Sequence, residues 1–596
     1  MDGQPLIGKV NGEQVFRFSQ DMPVTFSGFQ AGKNNAARYN TFFGYQAGLS
    51  NTTGDGNFFM GHSSGSNNTT GRENYFSGNY TGVTNTKGNY NHFTGMHAGH
   101  FNDSGYGNQF EGYYAGYSNT HGSYNHFVGL ATGYHNTTGS YNYFSGPYAG
   151  WFNSTGSNNI FTGYHAGYSN TTGTANFFQG YEAGLSNTTA NYNHFSGFRA
   201  GYSDTSGMAN HFDGYYSGYS NTVGSRNYFS GQQAGYANTT ASENHFVGFQ
   251  AGFNNSVGNN NHFEGYGAGT YNTSGGNNFF EGYHAGYSNN TGSNNHFSGY
   301  NAGYKNTSSS ENLFIGNNAG FNNTSGYDNH FVGFNAGTAN TIGYYNHFTG
   351  NNAGANNTTG SFNQFEGVWA GYGNTTGNNN LIAGAEAGQQ SSTGSNNVFL
   401  GFQAGFTNSI GSNNTMVGYK ADVMFNGLSN TMALGYNATV SASNKVVIGN
   451  SSVTSIGGYA NWSNFSDGRF KQNQKENVPG LAFISKLRPI TYTLDVDAIN
   501  EFNSKHLPAD KKIQTINPEK KNEVCTGFVA QEVEQASKEL GFNFSGVDKP
   551  GDATKQTYAL RYSDFVVPLV KAVQEQQKMI EELKKEIEEL KKRTVN

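Results

Sequence analysis

Nine of the 17 histidines fall at one phase of a strict 17-residue period, among them His92, His194, His262 and His347. Neutral imidazole is a good metal ligand, so such a column could stack metal ions. Yet no H-x-H pair accompanies it and no carboxylate recurs at a fixed offset. Tyr75, Tyr143 and Phe177 take the same phase. The interchange points to an aromatic packing or surface slot, and no metal is expected. A second column, four residues on, holds Tyr or Phe in many repeats. Aromatic faces beside Asn and Thr suit sugar recognition by stacking and hydrogen bonding, with Tyr113, Tyr164 and Tyr283 as the candidate ligand-binding residues. The competing reading wedges these rings between neighbouring chains. Glu264 and Glu281, on successive repeats, would supply the carboxylate pair of acid–base glycoside cleavage. Ser or Thr takes that phase in many other repeats, which reads as a solvated face. No phosphate-binding glycine motif occurs, Cys525 reads as a buried apolar residue, and no cofactor is expected. The many N-x-S/T triplets, such as Asn170-Thr171-Thr172, are turn chemistry rather than glycosylation signals.

The element that must position these columns is a repeat. The glycine of F-x-G-Y-x-A-G marks its phase from Gly44 through Gly61 and Gly78 to Gly435, 24 copies without insertion or deletion. Irregular copies flank the array at Gly28 and Gly449. Units so regular bury an apolar face only by stacking on their neighbours. Seventeen residues with two turn signals are too short for a helix pair. In the unit Gly163 to Gln179, Ser169-Asn170-Thr171-Thr172-Gly173 is turn chemistry, and Asn176-Phe177-Phe178 reads as a short strand. Each repeat is therefore one coil of a β-solenoid or β-roll, with ~4.8 Å between coils and a rod of roughly 115 Å. Phe stands two residues before the marker in 20 successive repeats, Phe42 to Phe365. Its strand neighbour (Ser77, Thr94, Glu111, Asp213) faces the opposite side. The Phe column is core and its neighbour solvent. Asn four before the marker, as at Asn91 or Asn193, would form a ladder bonding along the rod axis. At Ala383, Leu400, Val417, Leu434 and Ile448 the solvent column turns apolar, while the core column loosens to Ile382, Phe399, Met416 and Ala433.

Composition changes abruptly near Ser466. Residues 1–465 hold 29 charged residues and 79 Gly, residues 466–596 hold 41 and 6. A polymer-like segment thus precedes an ordinary globular one. Pro is scarce and no G-X-Y triplet runs through the chain, which excludes collagen. Aromatic residues make up 15 %, enough apolar area to argue against disorder. One cysteine excludes a disulfide framework. A net charge of −6 argues against duplex nucleic acid. No stretch approaches ~18 consecutive apolar residues, so no membrane insertion is expected. The opening MDGQPLIGKVNGEQVF shows no charged region followed by an apolar run, and no signal peptide is expected there.

Near the end of the repeats, ALGYNATVSASNKVVIGNSSVTSIGG resembles the head repeats of trimeric autotransporter adhesins, which implies that three chains meet there. Beyond it, Ser466-Asp467-Gly468-Arg469-Phe470-Lys471 is followed by Leu487-Arg488-Pro489-Ile490, Gly527-Phe528-Val529-Ala530-Gln531-Glu532 and Leu560-Arg561-Tyr562. This ordered set resembles the C-terminal intramolecular chaperone domain of endosialidases and other phage tail spikes and fibres, over essentially all of 466–596. The resemblance implies a domain that trimerises, guides folding of the fibre and cuts itself off between Phe465 and Ser466. It makes Ser466 the nucleophile and Lys471 the general base, with Asp467 and Arg469 supporting the local geometry. An alcohol needs a base to take its proton, and Lys can serve where burial disfavours its charge. The alternative is a folded turn that never cuts. At most this is single-turnover self-cleavage, and no turnover enzyme is expected. Leu569, Val573, Gln576, Ile580, Leu583, Ile587 and Leu590 then alternate at spacings of four and three, a heptad seam. Its Ile and Leu choice alone favours two strands, against the trimer that both resemblances imply.

The sequence therefore reads as a mainly β, elongated trimeric β-solenoid or β-roll fibre, followed by a small α+β chaperone domain ending in a coiled-coil helix. Residues 1–26 are an attachment segment, 27–382 the repeat shaft, 383–465 an adhesin-head-like β-roll and neck, and 466–596 the chaperone domain, with its coiled coil at about 569–592. The expected role is a structural and receptor-binding homotrimer of a phage tail or phage-like contractile injection particle, assembled in the cytoplasm and acting outside the cell. Its partners would be a baseplate or other attachment protein at the N-terminus and a cell-surface glycan or protein receptor. The alternative is a bacterial cell-surface adhesin of the same architecture. A glycan-degrading tail spike needs an irregular insertion that the unbroken period leaves no room for.

Overall fold

The computed structural model describes residues 5–19, 21–505 and 518–594. The chain is mainly β: about 25 solenoid coils at a 17-residue spacing, then a smaller region closing in a helix. Positions 1–4 and 20 of the expected attachment segment lie outside the described residues. Two compact units are formed, residues 1–363 and 364–596.

The first unit opens on an antiparallel hairpin, β1 (Leu6–Val10) and β2 (Glu13–Ser19). It turns at Asn11-Gly12, both with positive φ (50° and 84°), the pair that a tight two-residue hairpin favours. β2 pairs antiparallel with β3 (Val24–Ser27), and β3 pairs parallel with Asn40–Phe43. The hairpin thus covers the first edge of the sheet, which would otherwise invite another chain. From Phe58–Met60 to His347–Thr349 each coil adds one three-residue strand. Neighbours are parallel and in step: Phe161 lies opposite Phe178, and Phe178 opposite Phe195. In the sample unit the strand is Phe177–Gln179, one residue later than the sequence suggests. The reason is that the Asn176 N–H is bonded to the Oδ1 of Asn159 rather than to a backbone carbonyl.

The Phe column is the core. Its rings are fully buried from Phe42 onward and stack with centroids 4.6–4.9 Å apart, the spacing of hydrogen-bonded strands. The alanine three after the marker is equally buried, at Ala47, Ala98 and Ala166. Two asparagine ladders flank the rings. In the expected one, Asn176 Nδ2 donates to Ala190 O at 2.8 Å while its N–H takes Asn159 Oδ1 at 2.9 Å. The second runs through Asn136, Asn153 and Asn170, residues whose sequence context signals only a turn. There Asn153 Nδ2 donates to Asn136 Oδ1 at 2.7 Å and to Gly156 O at 3.0 Å. Asn153 and Asn170 each close their own turn with Nδ2 and also donate to the coil before, as buried amide donors require.

The marker glycine is required by geometry. Gly180 has φ +142°, and a Cβ there would lie 2.2 Å from Gly197 O of the next coil. Two further residues per coil take left-handed backbone without being glycine, as His165 (φ 55°) and Ala175 (φ 58°) do. Truncating one ring of the column has a calculable result. Phe229 sits 4.8 Å from both Phe212 and Phe246. Phe229→Ala is expected to cost about 3–5 kcal/mol, read as lost amide-exchange protection in the coils on either side.

In the second unit, six strands from Gln364–Glu366 to Val446–Ile448 form a parallel ladder of their own. The last step shortens: Met432 pairs with Val446. Ile382, Phe399, Met416 and Ala433 fill the core column, joined by Val423 and Val440 from a second short parallel pair. The former solvent column is only half-buried at Leu400, Val417 and Leu434.

Beyond residue 465 come α1 (Leu481–Ile484), α2 (Val496–Ser504), α3 (Pro518–Lys521), α4 (Ala530–Glu539) and α5 (Val566–Thr594). Two short antiparallel pairs accompany them, Ile490–Tyr492 with Cys525–Gly527 and Val547–Asp548 with Ala559–Leu560. Phe483, Val533, Ala536, Phe544 and Phe565 form the core. The Leu481 N–H donates to Glu575 Oε2 at 2.8 Å, tying α1 to α5. Lys538 and Lys549 beside Glu534 hold its carboxyl down to about 2, fixing α4 to the strand after it. Cys525 is half-buried rather than buried, because its strand has a partner on one side only. No helix among the described residues is long and apolar enough to cross a membrane.

Candidate functional site: Ser466 and Lys471

Residues 449–465 carry no regular secondary structure and leave Tyr459, Trp462 and Phe465 exposed. A single 3-10 turn, Gly468–Phe470, ends this stretch. Asp467 caps it: its Oδ1 accepts the Arg469 N–H at 2.9 Å, and the Arg469 guanidinium donates to Oδ2 at 2.6 Å and 3.0 Å. The Arg469 hydrogen bonds hold the Asp467 carboxyl below the usual carboxylate range. The turn closes when the Lys471 N–H donates to Gly468 O. This reversal brings Lys471 back over the residue five positions earlier. Lys471 Nζ donates to Ser466 Oγ at 2.8 Å. Phe465 and Phe470 flank the pair with ring centroids 5.4 Å apart.

The four residues singled out by the motif thus converge. Ser466 and Lys471 are at hydrogen-bond distance, the requirement for a nucleophile and its base, and Asp467 with Arg469 hold the turn that sets it. The sequence could not show that both Ser466 and Lys471 are exposed in the single chain. A lysine gives up its proton near neutrality only where burial disfavours the charge. As it stands the pair is in reach but uncovered.

The other candidates fall elsewhere. Tyr283 is sandwiched between Tyr266 and Tyr300, each 5.1 Å away and nearly parallel. Tyr164 stacks on His165 at 3.9 Å and Tyr181 at 5.2 Å. Tyr113 meets Tyr114 edge-on at 4.2 Å. Both faces of Tyr283 are taken by like rings of the coils on either side, and Tyr164 is stacked by its chain neighbour His165 and by Tyr181 one coil on. The expected stacking of a sugar has no free face to use at Tyr283. The histidines lie in the same kind of pile: His194 stacks on His211 at 4.5 Å, and His211 on Tyr228 at 4.7 Å. Among the described residues no group of three or more His, Cys, Asp or Glu is placed to hold a metal ion. Glu264 and Glu281 sit opposite each other on neighbouring strands and are exposed.

Residues 466–542 match the family model described as chaperone of endosialidase. The match begins at Ser466 and follows the long solenoid of repeats of about 17 residues. No curated protein matches the chain. A chaperone-of-endosialidase domain behind a β-solenoid fits a tail-fibre-like protein.

Proposed function

We propose that the chain is one subunit of a homotrimeric fibre of a phage tail or phage-like contractile injection particle. Its solenoid reaches a cell-surface glycan or protein receptor, and its N-terminal end is held by a baseplate or other attachment protein. The domain from Ser466 sets the three chains in register, starts their folding and then separates by one self-cleavage. The observation that carries this reading is the unpartnered seam of α5. Leu569, Val573, Ile580, Leu583, Ile587 and Leu590 are each 45–58 % exposed in the single chain. An apolar stripe at heptad spacing is stable in water only against other helices. The half-buried Leu400, Val417 and Leu434 make a second apolar column suited to the same neighbours.

Near-identical coils pair almost as well when slipped by one repeat, since only local contacts differ. Three chains joined first at their C-terminal ends start level, and coil stacking then propagates from that point. Covering by the partner subunits would also strip water from Lys471, which its role as base requires. In the cleavage, Ser466 Oγ attacks the Phe465 carbonyl carbon and Lys471 takes the hydroxyl proton. The carbon–nitrogen bond breaks, and Lys471 passes the proton to the leaving Ser466 amine. Water then opens the ester, leaving a Phe465 carboxylate and a free Ser466 amine and hydroxyl.

Sedimentation velocity on the purified full chain tests the assembly. The expected species contains three 64.3 kDa chains, or three shortened chains after cleavage. A single-chain species at micromolar concentration would overturn the reading.

A further inference from the structure

The second asparagine ladder runs through Asn136, Asn153 and Asn170, each Nδ2 donating to Oδ1 one coil back at 2.6–2.7 Å, and resumes where Asn238 Nδ2 donates to Asn221 Oδ1 at 2.7 Å. Between them position 204 is Asp, fully buried. Its Oδ1 accepts the Gly207 N–H at 2.9 Å, and Asn193 Nδ2 lies 3.5 Å from its Oδ2. The ladder is faulty just below it. Asn187 Nδ2, Asn187 Oδ1 and Asn170 Oδ1 are buried without a hydrogen-bond partner. The amide of Asn187 is also turned over relative to its neighbours. Beside Gly156 the nearest atom of the next coil's amide is Asn170 Nδ2, whereas beside Gly173 it is Asn187 Oδ1.

One change of protonation repairs all three atoms. A carboxylate only accepts hydrogen bonds, so it cannot take the donor role that Asn fills in this column. A neutral acid can. Its O–H would donate to Asn187 Oδ1, Asn187 would turn back like its neighbours, and its Nδ2 would reach Asn170 Oδ1. Amide orientation is set by such partners. We propose that Asp204 is a neutral carboxylic acid in the folded fibre, and that it makes the coils from Asn187 to Asn221 a pH-sensitive joint in the shaft. Among the described residues no charged side chain bonds to Asp204. The groups facing it from its own coil and the two beside it are Asn187, Asn193, Asn210 and Asn221. His194, Arg199, His211 and Asp213 of the same coils stand at phases open to solvent. Burial raises the Asp204 carboxyl well above the usual range, in keeping with the ladder.

The sign follows from linkage. A group whose proton is held more tightly in the folded state contributes full stability below its unfolded value, and that contribution is lost as pH rises from there through its folded value. Asp204→Asn restores an amide and has no such loss. Amide exchange of the full chain, wild type against Asp204→Asn, reads the difference in coils 187–221. The two are expected to match at about pH 4. With the proton still held at about pH 7, the variant is expected to be better protected, tenfold for each pH unit between the unfolded carboxyl value and pH 7. The infrared carbonyl band of a protonated carboxylic acid should be present in wild type at about pH 7 and missing from Asp204→Asn. A wild-type spectrum without that band, or equal protection at both pH values, would overturn the proposal.

Discussion

Ser466→Ala is expected to leave the chain in one piece, whereas the wild-type chain is expected to separate into residues 1–465 and 466–596, as intact mass measurement would show. The variant removes the hydroxyl 2.8 Å from Lys471 Nζ and leaves the Asp467–Arg469 turn in place, so folding and assembly are expected to persist. Lys471→Arg is the sharper companion. Arginine keeps the positive charge and the reach of the side chain but does not give up its proton in proteins. If Lys471 acts only by holding Ser466 in place, Lys471→Arg cleaves; if it takes the proton, cleavage slows by about 10²–10⁴-fold. Asp467→Asn should act more weakly, by loosening the cap that brings Lys471 back over Ser466. Wild-type protein that forms trimers yet keeps a single intact mass would remove self-cleavage from the account and leave the assembly role standing.

A second large effect is expected at the marker glycine. Gly214 has φ +134°, a region that side chains other than hydrogen rarely enter, and a Cβ there would lie 2.5 Å from Gly231 O and 2.7 Å from Gly231 C. Neither atom can retreat easily, because Gly231 N–H is bonded to Asp213 O at 2.8 Å. Gly214→Ala therefore combines backbone strain of about 1–3 kcal/mol with a forced separation of two coils. A total above about 4 kcal/mol places it among the rare severe substitutions. Val223→Ala in the same coil, at a side chain 48 % exposed, is the control and should stay within about 0.5 kcal/mol. Amide exchange across these coils distinguishes the two. Equal protection in both variants would mean that neighbouring coils are not packed as closely as described.

Much of this architecture is legible in the residues because a repeat reports the same environment over and over. Twenty phenylalanines at one phase identify a core column in a way a single phenylalanine never could. The polar neighbours of that column mark its outer face just as firmly. What the residues hide has a physical cause in each case. Asn170 sits in a run of turn formers, and its burial is invisible because one side chain serves both the turn and the ladder. The left-handed positions carry Tyr, His, Glu and Arg as often as Asn, so no composition signal marks them. Tyr283 looks like free aromatic surface in a linear reading; only parallel stacking shows that neighbouring rings take both its faces. At Ser466 the motif indicates which side chains meet, while their exposure depends on chain segments that no spacing rule describes.

The in-step pairing of residues seventeen apart has a consequence for how such a molecule changes over generations. In the regular shaft every strand pairs only with the coils on either side, and those neighbours are nearly identical. Loss or duplication of one whole repeat in the gene would therefore leave each remaining interface as it was. Copying errors between similar stretches of DNA become a dial for reach, turned in increments of one strand spacing, with both flanking segments untouched.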